Sequence, residues 1–436
     1  MDAVKVGLLG LGTVGGGTAT VLKRNADEIQ ARVGRPIEIS HAAALDIASQ
    51  KILDPAKTKL TEDAFDVVAD PDVDIVVELI GGYTLAKDLV LKAIENGKHV
   101  VTANKALIAT HGPEIMRAAS AQGVSVCYEA AVAGGIPIIK AMREGLAANR
   151  IQWVAGIING TGNFILSEMR DKGRDFGDVL REAQELGYAE ADPTFDVEGI
   201  DAAHKLTILT SLAFGVELQF DKTYTEGISK ITPEDVNYAD ELGYRIKHLG
   251  IARKTDEGIE MRVHPTLIPR KRLLANVDGV MNAVLVQGDA VGPTLYYGAG
   301  AGAEPTASAV VADIIDTVRT IDAPLHHKVP LLGFQDGEMR DTPILPIEQC
   351  QTAYYLRMQA TDKPGVLAEV SDTFAKHNIS IEAVLQKEPA SGESNVQLVM
   401  LTQTCVEVEL DVAIAEVAAL DTIEGEIIRI RVEHLD

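Results

Sequence analysis

The chain has 436 residues, which is too long for one compact core, so we expect two or three domains. A formal net charge of −24 argues against a nucleic-acid partner, because proteins that bind the phosphate backbone present a basic face. Three widely spaced cysteines argue against a disulfide framework or a zinc knuckle. No apolar run reaches membrane-spanning length and no basic leader precedes the first apolar run, so the sequence predicts a cytoplasmic protein with no membrane partner.

The first third of the sequence alternates apolar, strand-like runs with helical patterns. The strand-like runs are Ala3–Gly10, Ile37–Leu45, Val73–Ile80, Lys98–Ala103 and Val124–Ala130, and the helical patterns are Thr13–Arg24, Ala86–Asn96 and Pro113–Gln122. Nearly continuous apolar strands are typical of a sheet that is covered on both faces. Their alternation with helices predicts an α/β domain over residues 1–133, with a doubly wound parallel sheet of the Rossmann type.

The pattern changes near Gly134 and predicts a second, α+β domain over 134–302 for the substrate and for dimerisation. Its helix-like and strand-like runs include Pro137–Leu146, Gly258–Ile268 and Asn282–Asp289. A helical run within 303–324, Ala307–Ile321, is expected to pack back on the first domain.

The last part of the chain predicts a small separate domain after a linker. Residues 325–351 are rich in proline, glycine and polar side chains, which favours a linker. Residues 352–436 show the order β-α-β-β-α-β, which is typical of a ferredoxin-like module. A module of this size is large enough to fold independently.

The run GLGTVG lies between the first strand and the first helix, which is the context of a dinucleotide-binding loop. In such a loop Gly10 allows the tight turn, Gly12 lets the backbone approach a pyrophosphate, and Gly15 lets the helix pack closely. The helix N-terminus, beginning at Thr13 and Val14, would offer free amides and a positive dipole end to the phosphates. The loop therefore predicts a bound dinucleotide cofactor; a purely structural glycine turn is the alternative.

Asp46 follows the second strand, where a carboxylate binds the adenosine ribose in NAD-preferring sites. An NADP site would favour an arginine here to bind the 2′-phosphate. Leu45 occupies the adjacent position and the nearest cation is Lys51, so the sequence favours NAD but leaves NADP open. The alternative is that Asp46 is a solvated turn residue.

Five ordered blocks then carry a family resemblance: Val100–Gly112, Tyr128–Ile139, Asn159–Met169, the run LGYAEADPTFDVEGIDAAHKL, and Gly298–Asp313. Together they cover most of 4–321 and resemble homoserine dehydrogenase. The run DKPGVLAEV in the terminal module is similar to an ACT domain. The resemblance implies reversible, nicotinamide-dependent interconversion of L-homoserine and L-aspartate 4-semialdehyde, on the way to threonine and methionine.

The resemblance implies that Lys205 donates and accepts the proton and that Asp201 and Glu190 bind the homoserine amine or hydroxyl. It also implies that Lys105 touches both cofactor and substrate. Asp196 is a further substrate-binding candidate, as is Asp192, although capping and solvation explain both equally well. The alternative for Asp201 and Lys205 is an ordinary surface pair at i, i+4, worth only about 0.2–0.5 kcal/mol.

The same resemblance implies that the backbone lies close to the cofactor at Gly187 and at Gly302. Gly298 and Gly300 compete for the role of Gly302. It also implies a structural monovalent cation, sodium, in the run EAAVAGGI.

The implied sodium ligands are the Glu129 carboxylate and the carbonyl oxygens of Val132, Gly134 and Ile136. The rival interpretation is a turn at a helix start that needs no metal.

In the ACT-like module, Gly365 lies at a strand-to-helix turn where such domains commonly bind an amino acid at a dimer interface. Threonine is the natural candidate, and oligomerisation alone is the alternative role. The resemblance implies at least a homodimer, with a homotetramer also open. On this interpretation, truncation after Asp336 would preserve catalysis and remove any response to threonine.

Two other functions compete with homoserine dehydrogenase. An aldehyde-oxidising semialdehyde dehydrogenase would need a cysteine nucleophile, and Cys127 lies inside an apolar strand, which is a poor place for one. A non-catalytic sensor of cofactor and amino acid would not need the combination of Glu190, Asp201 and Lys205.

Overall fold

A computed structural model of the chain describes residues 2–48, 50–324, 328–335, 337–387 and 395–435. Its strands are β1 (Val4–Leu9), β2 (Ile37–Ala43), β3 (Lys59–Thr61), β4 (Ile75–Glu78), β5 (His99–Thr102), β6 (Val126–Cys127), β7 (Ile151–Ile157), β8 (Tyr224–Thr225), β9 (Tyr244–Lys254), β10 (Ile259–Pro269), β11 (Met281–Gly288), β12 (Gly292–Ala299), β13 (Gln351–Thr361), β14 (Ile381–Gln386), β15 (Asn395–Thr402), β16 (Cys405–Val406) and β17 (Ile423–Val432).

The helices are α1 (Thr13–Arg24), α2 (Ala26–Val33), α3 (Ala64–Ala69), α4 (Thr84–Glu95), α5 (Lys105–Gln122), α6 (Ile138–Lys140), α7 (Gly160–Lys172), α8 (Phe176–Glu185), α9 (Thr194–Val197), α10 (Ile200–Phe214), α11 (Pro233–Glu241), α12 (Ala303–Thr320), α13 (Val366–Lys376) and α14 (Glu407–Ala418). None of the helices within the described ranges is both long and apolar enough to cross a membrane.

The chain forms two compact units, each built from separated segments. The first unit contains Met1–Gly160, Asp201–Thr223 and Val280–Thr342. The second contains Thr161–Ile200, Tyr224–Gly279 and Pro343–Asp436.

The first unit is organised around a parallel sheet in the order β3-β2-β1-β4-β5-β6. The predicted doubly wound sheet is therefore confirmed. Val6, Leu8 and Ile75 are completely buried, as expected for strands that are covered on both faces. The strand order reverses beside β1, and ligands of such sheets bind in the crevice at the carboxyl ends of the strands at this point.

Helix α12 shares the core of this parallel sheet. Ala307, Val310 and Ile314 are buried in it. A Cβ at Gly17 of α1 would lie 2.6 Å from the Ala303 carbonyl oxygen, so α1 and the start of α12 approach closely. The first unit also contains the antiparallel ribbon β12-β11-β7.

Helix α5 is longer than predicted, because it begins at Lys105 and continues through Pro113. The prediction that Pro113 starts the helix was wrong. The Asn104 side chain accepts a hydrogen bond from the Leu107 N–H at 3.0 Å and caps the true N-terminus. Apolar side chains on both sides of the proline, such as Leu107 and Ile115, are fully buried, and this packing keeps the helix continuous.

Several other predicted bounds also differ from the structure. Strand β2 ends at Ala43, strand β6 is confined to Val126–Cys127, and α12 begins at Ala303, four residues before the predicted start. The predicted helix Pro137–Leu146 is helical from Ile138 and widens to an i→i+5 turn over Ala141–Gly145. These differences lie at element ends, where tertiary contacts outweigh local propensity.

The second unit contains the predicted βαββαβ module, which is confirmed. Its four main strands are ordered β17-β13-β15-β14, all antiparallel, with α13 and α14 as the helices. Strand β17 also pairs in parallel with β10, through Thr266 with Arg431 and Leu267 with Val432. The module is therefore continuous with the hairpin β9-β10 of the same unit.

A common hydrophobic core joins this module to the rest of the second unit. Tyr355, Leu401 and Val432 pack in one cluster with Ile165 of α7 and Val179 of α8. The predicted linker 325–351 includes residues 325–327 and 336, which lie outside the described residues. Elsewhere in this segment the Arg340 N–H donates to the Gly215 carbonyl oxygen at 2.6 Å, and the Leu345 N–H donates to that of Ile259 at 2.8 Å.

Candidate active site

The glycine-rich loop joins β1 to α1 at the carboxyl edge of the parallel sheet. Gly10 has a φ of +94°, and its N–H donates to the Ala43 carbonyl oxygen at 2.9 Å. A Cβ at Gly15 would overlap the Gly10 carbonyl oxygen, whereas a Cβ at Gly12 would meet nothing within 4 Å. Gly10 and Gly15 therefore shape the turn, and Gly12 leaves open space beside it.

The N-terminus of α1 is suited to bind phosphate. Gly12 is its N-cap and carries no side chain to satisfy the first amides, those of Thr13 and Val14. No acidic residue lies in the first turn of this helix. The amides and the positive end of the helix dipole are therefore available to a pyrophosphate.

A cavity of about 990 Å³ adjoins this loop within the first unit. Asp46 lines it, three residues after the end of β2, as does Lys51. Apolar side chains also line it, including Phe65 and Leu45, and Leu45 is 96% exposed. A cavity with apolar walls and a few polar groups suits the adenosine part of a dinucleotide.

Asp201 and Lys205 lie one turn apart on α10, and both are buried. The Asp201 carboxylate accepts hydrogen bonds from Lys205 Nζ at 2.6 Å and from Asn159 Nδ2 at 2.9 Å, and it lies 3.1 Å from Lys105 Nζ. Lys205 Nζ also donates to the Ile158 carbonyl oxygen at 2.7 Å. Residues from three separated segments thus converge on one carboxylate.

The electrostatics of this cluster keep Asp201 ionised. Burial raises the pKa of the Asp201 carboxyl, but the nearby ammonium groups of Lys205 and Lys105 outweigh burial and hold that pKa well below its usual range. Asp201 is 5% exposed and Lys205 is 9% exposed, so the pair is not the surface pair that was the simplest alternative. A lysine held this way can deliver a proton to a ligand at the edge of the cluster.

Lys105 reaches the cluster because α5 starts directly after β5. Asn104 caps this helix and donates from Nδ2 to the Gly82 carbonyl oxygen at 2.7 Å. The Asn104 N–H donates to Thr102 Oγ1 at 3.0 Å, and that hydroxyl donates to Glu78 Oε2 at 2.6 Å. The chain of hydrogen bonds fixes the helix start at the carboxyl edge of the sheet.

Sequence reasoning missed two residues around the cluster: Asn159 and His204. Asn159 lies in a block that carries the family resemblance, but no spacing rule connects it with Asp201. The ring of His204 stacks on Phe220 with centroids 4.2 Å apart. Burial lowers the pKa of His204 to about 4, so this neighbour of Lys205 is neutral at pH 7.

Glu190, Asp196 and Gly187 belong to the second unit, where they lie on and after the loop between α8 and α9. Glu190 is exposed and forms no ion pair with the residues that the structure describes. Asp192 accepts hydrogen bonds from the N–H and hydroxyl of Thr194, at 3.1 and 2.7 Å, which supports its alternative as a capping residue. Asp196 is half-buried in α9, and Gly187 has a φ of +73°.

Gly302 is the N-cap of α12, with a φ of +116°. A Cβ there would meet only Pro305, at 3.5 Å, so the space beside Gly302 is open. By contrast, a Cβ at Gly300 would overlap the Asn282 side chain, and one at Gly298 would lie 3.1 Å from Ile136. Packing therefore explains Gly298 and Gly300, which leaves Gly302 as the better place for a ligand to approach.

The run around Glu129 forms a compact turn. The Glu129 carboxylate is buried and accepts hydrogen bonds from the N–H groups of Ile139 and Lys140, at 2.9 and 2.8 Å. Burial raises the pKa of Glu129 to about 7. Gly134 has a φ of +45°, and the Ile136 carbonyl oxygen accepts from the Ile138 N–H at 2.8 Å. Val132 is completely buried.

Cys127 does not have the environment of a nucleophile. Burial raises the pKa of its thiol to about 12, so the reactive thiolate is absent at neutral pH. Its sulfur lies 3.6 Å from the hydroxyl of Thr317. Among the described residues, no cluster of three or more histidine, cysteine or acidic side chains has metal-binding geometry.

The parallel sheet, the phosphate-binding loop at its switch point and the buried lysine–carboxylate cluster define a nicotinamide-dependent oxidoreductase that acts on a CH–OH group. Comparison with known proteins agrees. Residues 10–129 match the family model for the NAD-binding domain of homoserine dehydrogenase, residues 137–315 match the homoserine dehydrogenase model, and residues 354–420 match the ACT domain. The chain belongs to the homoserine dehydrogenase family.

Individual relatives match over the full length. The chain is 64% identical to a homoserine dehydrogenase of Pseudomonas aeruginosa and covers all of both chains. It is 58% identical to one of Neisseria gonorrhoeae, again over 100% of each. A crystal structure of a homoserine dehydrogenase from Thiobacillus denitrificans superposes with a TM-score of 0.95 at 63% identity, covering 100% of this chain and 99% of the other.

Proposed function

We propose that this chain catalyses the reversible reduction of L-aspartate 4-semialdehyde to L-homoserine, with Lys205 as the group that transfers the proton. The observation that carries the proposal is the buried Asp201 carboxylate, which holds the ammonium groups of both Lys205 and Lys105. Lys105 starts α5 directly after β5, at the edge of the sheet where ligands of this fold bind.

When bound, the reduced nicotinamide would supply the hydride for the aldehyde carbon and would itself be oxidised. As the C–H bond forms, the carbonyl oxygen takes a proton from Lys205 Nζ, and the C=O double bond becomes C–O–H. In the oxidation direction, neutral Lys205 takes the proton back from the hydroxyl. Asp201 orients Lys205, since the two groups are 2.6 Å apart and buried.

The substrate ammonium needs carboxylates, and Glu190 is the first candidate. Its side chain is exposed and unpaired among the described residues, so it is available to a cationic group. Asp196 is the second candidate. Lys105 and Asp201 complete the proposed set of polar contacts to the substrate.

The residues of the glycine loop fit a dinucleotide, since Gly10 and Gly15 shape the turn and the helix N-terminus is uncapped. Asp46 would bind the adenosine ribose, and NAD is the preferred cofactor in this proposal. The carboxylates of Glu62 and Asp63 line the same cavity, and they would repel the 2′-phosphate of NADP. Gly187, Gly302 and Lys105 contribute further cofactor contacts.

A sodium ion bound by the Glu129 carboxylate and by the carbonyl oxygens of Val132, Gly134 and Ile136 is also part of the proposal. Hard oxygen ligands and a turn of positive φ at Gly134 favour it. The hydrogen bonds that Glu129 already accepts from Ile139 and Lys140 favour the metal-free turn instead. Thermal unfolding in sodium against tetramethylammonium chloride at equal ionic strength separates the two, because only a bound ion makes the midpoint depend on sodium.

The chain is also proposed to divide into domains, to form an oligomer and to be regulated by an effector. The domain division is 1–133, 134–302 with 303–324 returning to the first domain, a linker at 325–351, and 352–436, and the bounds of the three family models support it. The ACT domain binds an amino-acid effector, for which threonine is the candidate. A cytoplasmic homodimer or homotetramer completes the proposal.

The test is a steady-state assay of L-homoserine oxidation with NAD and with NADP, with and without threonine, followed by absorbance of the reduced nicotinamide. Turnover with homoserine supports the proposal. Cofactor binding without any turnover would favour the sensor and contradict it.

A further inference from the structure

A second cavity lies in the first unit, away from the glycine loop. It has a volume of about 440 Å³ and shares no lining residue with the cavity that contains Asp46. Its walls come from the ends of α5 and α12, from the turn of Ala141–Gly145 and from residues 328–331. None of the residues proposed for the substrate or the cofactor lines it.

The charged residues of this cavity carry an excess of positive charge. Of the residues that the structure describes, four cations and two carboxylates line it, which gives a formal charge of +2 in a chain whose net charge is −24. They are Lys140, Arg143, Arg319 and Lys328, with Glu144 and Asp316. A positive cavity in so acidic a protein is unlike the rest of its surface, where acids outnumber bases.

The two carboxylates do not neutralise all four cations. Asp316 is shared, because it pairs with Lys140 and lies 3.1 Å from an Arg319 nitrogen. Among the described residues, Lys328 Nζ donates a hydrogen bond only to the Gly123 carbonyl oxygen, at 3.5 Å. No carboxylate of these residues lies within ion-pair distance of it. Among the described residues, the positive charge of Lys328 is therefore left without a counter-ion.

Arg143 is the second under-partnered cation, and it is buried. Its side chain is only 9% exposed, and its nearest carboxylate oxygen, from Glu144, is 3.5 Å away, at the limit of a hydrogen bond. Arg143 Nε is buried and has no hydrogen-bond partner among the described residues. A buried guanidinium that is not fully hydrogen-bonded is costly, and an anion accepted at this position would remove that cost.

We infer that this cavity is a second binding site, which takes the phosphate group of a small molecule between Arg143 and Lys328. A guanidinium presents a planar fork of donors that suits phosphate oxygens, and an ammonium adds a point charge. The formal +2 of the cavity matches a phosphate dianion. The volume admits either inorganic phosphate or a small phosphate monoester.

Lys140 connects this cavity to the turn around Glu129. The Lys140 N–H donates to the Glu129 carboxylate at 2.8 Å, while its ammonium group pairs with Asp316 in the cavity. An anion that competes with Asp316 for Lys140 would therefore act on the residue that follows the turn proposed to hold sodium.

The experiment is isothermal titration of NAD-saturated enzyme with inorganic phosphate and with glycerol 3-phosphate, at constant ionic strength set by sodium chloride. Saturation with NAD keeps phosphate from the glycine loop. We expect saturable binding to the wild-type enzyme and a Kd that is about tenfold or more higher in Arg143→Gln and in Lys328→Gln, because each loses a charged hydrogen bond.

Lys92→Gln is the matched control, since it removes an exposed cation that pairs with Glu95 outside the cavity, and its Kd should stay within about twofold of the wild-type value. Tighter binding of the ester identifies a phosphate monoester as the ligand, and equal binding identifies free phosphate. The inference is overturned if phosphate binds without saturation, or if Lys328→Gln binds both probes as the wild-type enzyme does. Lys328 is only half-buried, so this variant remains informative if Arg143→Gln does not fold.

Discussion

The Asp201 carboxylate and the Lys205 ammonium group form a buried ion pair, 2.6 Å apart on successive turns of α10. A second ammonium group, that of Lys105, lies 3.1 Å from the same carboxylate. A surface pair at this spacing would contribute little, but breaking a buried pair leaves an uncompensated charge and costs about 3–5 kcal/mol. The ion pair is therefore expected to affect both the free energy of unfolding and kcat, and these two quantities can be measured separately.

Lys205→Ala is expected to lower kcat by on the order of 10²–10⁴-fold, because it removes the proton donor of the proposed reaction. The Kd for NAD should remain near the wild-type value, since no contact of Lys205 involves the glycine loop. Stopped-flow turnover and fluorescence titration of the cofactor measure the two effects. Lys222→Ala, an exposed lysine of the same unit, is the control and should turn over normally. A kcat for Lys205→Ala that is close to the wild-type value would exclude the assigned role.

Asp201→Asn should destabilise the protein in a pH-dependent way. The pKa of Asp201 is held below its unfolded value of about 3.9, so its stabilising contribution is fully present above that pH and is lost as the pH falls toward the folded pKa. The difference in unfolding free energy between wild type and variant should be constant from about pH 5 to 7 and shrink below about pH 4. Urea unfolding at a series of pH values measures it.

The exposed Asp221→Asn is the control for that series and should show a small difference at every pH. A difference for Asp201→Asn that grew as the pH fell would contradict the inferred direction of the pKa.

Glu190→Gln should raise the KM for L-homoserine by about tenfold or more while changing kcat less, because it removes a charged partner of the substrate ammonium. Asp192→Asn is the matched comparison in the same loop. The Asp192 carboxylate already accepts two hydrogen bonds from Thr194. Its replacement should therefore leave the KM for L-homoserine within about twofold of the wild-type value. Equal changes of KM in the two variants would mean that loop charge, rather than Glu190, binds the substrate.

Asp46→Ala should raise the KM for NAD by about tenfold and affect NADP less, because a ribose hydroxyl loses a charged acceptor. Asp88→Ala, an exposed acid on α4, controls for the change of net charge. Initial rates over a range of each cofactor give the comparison. Equal effects on NAD and NADP would remove Asp46 from cofactor discrimination.

Truncation after Asp336, which itself lies outside the described residues, is expected to unfold the second unit rather than leave catalysis intact. The cut removes Tyr355, Leu401 and Val432 from the core that they share with α7 and α8. It also removes Glu433, which pairs with the fully buried Arg262 at 2.5 Å. Circular dichroism and activity of the truncated chain test this. A folded, active product would show that the module is independent, as the sequence pattern suggested.

The sequence by itself determined the elements whose signals are local. Apolar runs, helical periods and the GLGTVG turn predicted the parallel sheet, its phosphate-binding loop and the βαββαβ module, because each depends on residues within a few positions of one another. Local signals failed where tertiary packing overrode them, as at Pro113, which the buried faces of α5 keep inside the helix.

Only the tertiary structure decided which polar residues meet. Asn159, Lys105 and Lys205 converge on Asp201 from separated segments, and no periodicity links them. Spacing alone allowed Asp201 and Lys205 to be a solvated surface pair. Burial made the pair a costly one that requires additional hydrogen bonds, because the attraction and the desolvation penalty of charges both grow as water is excluded.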